Sequence, residues 1–212
     1  MSNSLSPIIH ALERAYTAIR MTNPDAQLAV ITVYRRESGQ SWGYFHKSQF
    51  INKRESGQRL DEIQIDSTLL KESARMVLCI LLHEACHSVA SHREVQDTSR
   101  QGRYHNRRFV EIAQEAGLVT QPDKRIGCTT PNMTDQTAQR YRTVIDELEQ
   151  ALTLYQEPPL RNGPTRRKSR MLKAQCPACE RVIRGSQKTF DAGPVICQPC
   201  ASPFQVEEPE DG

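Results

Sequence analysis

A histidine, a glutamate and a second histidine stand together in the run Leu81-Leu82-His83-Glu84-Ala85-Cys86-His87, a His-Glu-x-x-His pattern. On a helix, four residues turn the chain through about 400°, so His83 and His87 project from one face, one turn apart. Two imidazoles so placed can share a metal ion. Zinc suits them, because neutral imidazole is a good zinc ligand and a catalytic zinc takes three protein ligands while keeping a position open for water. Glu84, beside the first histidine, can then take a proton from water acidified by the metal and pass it to a leaving amine. The chemistry that these residue types allow is metal-assisted peptide hydrolysis.

The preceding run Ala74-Arg75-Met76-Val77-Leu78-Cys79-Ile80-Leu81-Leu82 is too apolar for a surface helix and too short to cross a membrane, so it reads as a core helix. A buried carboxylate and two buried imidazoles there need partners, and one bound cation serves all three. A third ligand must come from elsewhere. Position 93, six after His87, is Arg93, which excludes the metzincin pattern. His92 sits about 140° round the helix from His87 and faces away. His105, within Gly102-Arg103-Tyr104-His105-Asn106 at the start of the next expected helix, is the better candidate. Glu111 takes its place if the third ligand is a carboxylate. Cys79, Cys86 and Cys128 read as small core residues, and His10 and His46 carry no assignment.

The elements that position these residues are an amphipathic helix over 7–21, strands over 28–34, 42–46 and 61–66, and the metal helix, capped by Asp66 or Ser67, starting near Thr68 or Ser73 and ending near Ser91. A polar and basic segment over 92–103 leads to a helix over 106–116, which Gly117 ends. Residues 122–134 read as a loop, and 135–155 as one long amphipathic helix stopped by Pro158-Pro159. The class is α+β, with helices on a small three-stranded sheet.

The stretch His83-Glu84-Ala85-Cys86-His87, followed by Gly102-Arg103-Tyr104-His105-Asn106-Arg107-Arg108-Phe109 and then Ala116-Gly117-Leu118, resembles the SprT-like metalloprotease domain. Upstream, Trp42-Gly43-Tyr44-Phe45 and Asp61-Glu62-Ile63-Gln64-Ile65 are similar to that family as well; the likeness spans roughly residues 5 to 120. It implies a zincin-like fold, His83, His87 and His105 as ligands of a catalytic zinc, and Glu84 as general base. The Spartan relatives digest proteins covalently trapped on DNA, so the resemblance also implies a protein substrate, with DNA-bound or DNA-crosslinked protein as one class.

A second constellation lies near the other end. Cys176-Pro-Ala-Cys179 and Cys197-Gln-Pro-Cys200, with seventeen residues between the pairs, form a zinc-ribbon signature in which four thiolates close a tetrahedron around a structural zinc. A segment this small cannot fold by hydrophobic burial, so the metal is its main source of stability. From Arg161 to Phe190 there are nine Lys or Arg against Glu180 alone, a net of +8; with the chain at +3 overall, the remainder is net −5. Such asymmetry suits a polyanionic partner, although a solvated linker has the same composition. Arg181, Arg184 and Lys188 favour nucleic acid as the ribbon's partner, through phosphate contacts that bring affinity without sequence choice.

The expected organisation is a metalloprotease domain over 1–156, a basic linker over 157–173, the ribbon over 174–205 and an acidic tail over 206–212. Seven cysteines, four of them in metal-binding pairs, indicate a reducing compartment. With no signal peptide or membrane-length apolar run in view, the expected location is cytoplasmic, away from the membrane. The reading is an intracellular zinc endopeptidase with one catalytic and one structural zinc. Its alternative from another class is a non-catalytic adaptor that binds nucleic acid or protein and holds two structural zinc ions.

Overall fold

The computed structural model describes residues 4–35, 41–55, 57–157 and 171–206. Contacts divide the chain into two units, 1–158 and 159–212.

Helix α1 (Ser6–Thr22) opens with Pro7 in its first turn, where a missing N–H costs nothing. Its inner face buries Ile8, Leu12, Ala15, Tyr16 and Ile19 at helical spacing. Strands β1 (Ala29–Tyr34), β2 (Gly43–Ile51) and β3 (Arg59–Asp66) form one sheet in the order β1-β3-β2, with β1 parallel and β2 antiparallel to β3. Ile31, Ile63 and Ile65 turn inward. The second strand is longer than its apolar pattern suggests. The register breaks between His46 and Phe50, and Ser48, at φ +56°, donates its N–H to Asp61 Oδ1 at 2.8 Å, which carries the polar stretch through the irregularity.

Asp66 Oδ1 accepts from Thr68 N at 2.6 Å and a single 3-10 turn follows over Leu69–Lys71, so the cap of α2 (Ala74–His92) is not the expected Asp66 or Ser67 but Ser73, which accepts from Met76 N at 3.3 Å. Buried on nearly every side, α2 is the central element of the first unit, as its apolar run predicts. Two short antiparallel strands, β4 (Thr98–Ser99) and β5 (Tyr104–His105), lead into α3 (Arg107–Glu115), and Gly117 at φ +82° turns the chain out of that helix.

Two expectations are corrected beyond this point. The segment 122–134, expected as a loop, forms the end of β6 (Leu118–Asp123), a turn and β7 (Gly127–Met133), paired antiparallel. Its Thr, Asn and Pro content hides a strand that buries Cys128, Thr130 and Met133, and a two-stranded ribbon tolerates Pro122 and Pro131 because each strand has an unpaired edge. The helix expected over 135–155 is two: α4 (Asp135–Arg140) and α5 (Arg142–Ala151) meet at buried Tyr141, whose hydroxyl hydrogen-bonds Thr22 of α1. Tyr141 N still donates to Thr137 O at 3.1 Å and Tyr141 O accepts from Ile145 N at 2.9 Å, so the interruption is confined to that one residue.

In the second unit, β8 (Leu172–Gln175), β9 (Val182–Gly185), a short α6 (Gln187–Asp191), β10 (Ile196–Cys197), β11 (Ser202–Pro203) and β12 (Gln205–Val206) make a three-stranded sheet, β12-β8-β9, and a β10-β11 pair. Among its described residues the buried hydrophobic side chains are Ala174, Cys176 and Cys197, so two of the four cysteines stand where a core would be. Most of the expected basic linker and all but the first residue of the acidic tail lie outside the described residues. Among the described residues, no helix is long and apolar enough to cross a membrane.

Candidate metal centres

The ring nitrogens of His83, His87 and His105 lie within 4.8 Å of one another. Their ring centroids form a near-equilateral triangle with sides of 5.1, 4.9 and 5.2 Å. His83 and His87 come from successive turns of α2, whereas His105 comes from β5, one residue before Asn106, which caps α3. Phe109, on the first turn of α3 and fully buried, packs against all three rings, with centroids 4.8, 4.8 and 4.2 Å away.

Behind each imidazole stands a different partner. Thr130 Oγ1 lies 2.8 Å from His83 Nδ1, Asp97 Oδ2 accepts from His87 Nδ1 at 2.5 Å, and the Cys128 carbonyl accepts from His105 Nδ1 at 3.0 Å. A carboxylate and a carbonyl can only accept, so His87 and His105 carry a proton on Nδ1, and in the neutral ring the lone pair is on Nε2. With Nδ1 engaged on all three rings, three Nε2 atoms remain for one cation. The ligand nitrogens of the three rings already lie within 4.8 Å of one another, close enough for one ion to be shared among them. This donor set fits a metal such as zinc.

Electrostatics agree with the geometry. Burial, together with the neighbouring His87 and His105, pushes His83 well below its ordinary pKa. Burial and His87 likewise lower that of His105. For His87, burial opposes the charge, but the Asp97 hydrogen bond and the charges of Glu84 and Asp97 outweigh it, and the pKa is raised. Rings that cannot all carry protons can share one ion instead. Glu84 is 2% exposed, and burial raises its carboxyl to about 7; the positive pull of His87 opposes this and Asp97 adds to it. Its side chain presses against the start of β2, where a Cβ built on Gly43 would meet Glu84 Oε1 at 2.6 Å. Glycine at 43 leaves the room in which the carboxyl sits.

His92 is exposed at the end of α2 and Glu111 pairs with Arg107 at 2.9 Å on the surface, so neither joins the three histidines. Cys79, Cys86 and Cys128 are buried free thiols, as expected of core residues. Asp97, Thr130, Gly43 and the Cys128 carbonyl were not visible from sequence. Asp97 sits in a polar stretch with no periodicity, and a backbone carbonyl has no sequence signature.

In the second unit, the sulfurs of Cys176, Cys179, Cys197 and Cys200 lie within 4.8 Å of one another, with 3.7 Å between Cys179 and Cys197. The chain turns back after each pair through left-handed residues, Glu180 at φ +58° and Ala201 at φ +50°. Glu180 N donates to Cys176 O and Cys200 N to Cys197 O, closing two knuckles. The Cys179 thiol is lowered to about 7, chiefly by the Arg181 backbone N–H, while Cys200 is pushed up to about 12, chiefly by its contact with Cys179. Once one thiol ionises the others resist, and a divalent cation removes that conflict. The four sulfurs are compatible with zinc. No protein-family model matches the chain, and comparison with curated proteins and with solved structures returns no match.

Proposed function

We propose that the chain is a zinc-dependent endopeptidase of SprT-like type, with a zincin-like first unit and a zinc ribbon that brings it to nucleic acid. The observation that carries the reading is the convergence of three histidines, each with Nδ1 engaged, beside one buried glutamate. His83, His87 and His105 would hold the catalytic ion, and the four cysteines a structural one. When bound, zinc supplies Lewis acidity, drawing electron density from a carbonyl oxygen and making water a readier proton donor. Glu84 does the proton work. Its carboxylate takes a proton as the water oxygen bonds to the scissile carbonyl carbon, then gives that proton to the amide nitrogen as the C–N bond breaks. Phe109 keeps water from the inner side of the rings.

Substrate would lie along β2. Its start touches Glu84 and, among the described residues, its only strand partner is β3, so an extended peptide can add along the outer edge. The turns that flank His105 expose Arg100, Arg103, Lys124 and Arg125. Arg181, Arg184 and Lys188 are exposed on the second unit. Cations on both units support a nucleic-acid-associated protein as substrate.

The test is Glu84→Gln in the full chain, assayed on a DNA-bound protein with metals counted. Two ions per chain with cleavage reduced about 10²–10⁴-fold is the expected result. Equal cleavage by wild type and variant, or none by either, removes the peptidase reading and leaves the adaptor.

A further inference from the structure

Resting on the reading of the three histidines as one metal centre, we propose that Asp97 is its positioning residue. It fixes His87 with the proton on Nδ1, makes that imidazole the strongest donor of the three, and thereby sets the affinity of the whole centre. Thr130 offers His83 a hydroxyl and Cys128 offers His105 a carbonyl; Asp97 alone brings a charge. The His87 and Asp97 side chains are only 15% and 13% exposed, so water and salt screen the contact weakly. A carboxylate behind a ligand histidine locks the ring's tautomer and orientation and raises the basicity of the opposite nitrogen.

Asp97 is itself held. Asn106 donates its backbone N–H to the Asp97 carbonyl at 2.9 Å and its Nδ2 to the Gln96 carbonyl at 2.7 Å. The Asn106 Oδ1 accepts from Arg108 N and Phe109 N, capping α3. Next door, Thr98 of β4 pairs with His105 of β5. One asparagine therefore ties together the segment that carries Asp97, the strand that carries the third histidine, and the helix that carries Phe109. A shift of Asp97 relative to His105 therefore works against these bonds.

The experiment uses the full chain with Asp97→Ala and Asp97→Asn. Zinc affinity is measured by competition with a chromogenic chelator, with the four-cysteine site as internal reference. The histidine Nδ1–H protons of the zinc-loaded protein are followed by NMR. The alanine variant is expected to bind zinc about 10–100-fold more weakly at the histidine centre, and to lose the His87 Nδ1–H resonance to water exchange while that of His105 stays. The asparagine variant, which can still accept through its amide oxygen, should keep the resonance and show a smaller loss. That graded rescue separates positioning from a general fault in folding. Zinc affinity within twofold of wild type in the alanine variant overturns the proposal; should that variant fail to fold, wild-type affinity in the asparagine variant overturns it. His105→Ala retaining two ions would remove the centre and the role of Asp97 with it. A wild-type chain that binds zinc but cuts nothing would remove only the peptidase reading, because Asp97 is judged by affinity.

Discussion

Glu84 is confined by a residue that has no side chain. A methyl group at position 43 would stand 2.6 Å from Glu84 Oε1, an approach that real structures do not keep, and a tight 3.0 Å from both Cδ and Cγ, so the buried carboxyl must shift. Gly43→Ala should therefore displace the carboxyl while leaving the imidazoles in place. Since a misplacement of about 1 Å can cost on the order of 10²-fold in rate, cleavage should fall by that order with both metals still bound. Metal counting beside the cleavage assay checks this, and activity within twofold of wild type would refute the role given to Gly43. At this scale the chain is partly legible. His83, Glu84 and His87 declare themselves because four residues along a helix bring side chains to one face. Gly43 and Thr130 do not, since their value depends on what folds against them.

The β6-β7 hairpin does more for the histidine centre than its sequence suggests. Ile126 O accepts the His105 backbone N–H at 2.8 Å, Cys128 O accepts from its ring, and Thr130 reaches His83. Gly127, between them, sits at φ +84°, and a Cβ there would fall 2.0 Å from His105 O and 2.8 Å from Tyr104 Cε1. Gly127→Ala meets both left-handed strain and a backbone clash. It should destabilise the first unit by about 2–4 kcal/mol, a fall in melting temperature of several degrees, and weaken zinc at the histidines while sparing the cysteines. Thermal melting with a metal count tests this; an unchanged melting temperature would show that the hairpin does not brace β5. The hairpin escaped sequence reading because its strands lack apolar alternation. Of its inward residues, Cys128 and Thr130 are small or polar and answer to α2 and β5, and only Leu118 and Met133 at its ends are large and apolar.

Each unit has its own source of stability. The first buries a continuous core from α1 through α2 and the sheet to α5, whereas among the described residues of the second the buried hydrophobic side chains are Ala174, Cys176 and Cys197. Cys197→Ser should lower the metal count from two to one and strip amide-exchange protection from 171–206, with the melting of the first unit unchanged. Retained protection would mean that the second unit folds without its metal. Short-range geometry determined what was readable beforehand: the helix with two histidines and a glutamate, the two cysteine knuckles, α1, the three strands and the α+β class all follow from spacing within a few residues. The tertiary structure decided the rest. Folding aimed the ring of His105, already the better candidate in the sequence, at the other two, put Asp97 and Thr130 behind rings 10 and 47 residues away in the chain, and interrupted the last helix at Tyr141, whose hydroxyl meets Thr22. Those outcomes depend on contacts between distant segments, whose energies exceed local preference and leave no periodic trace in the order of residues.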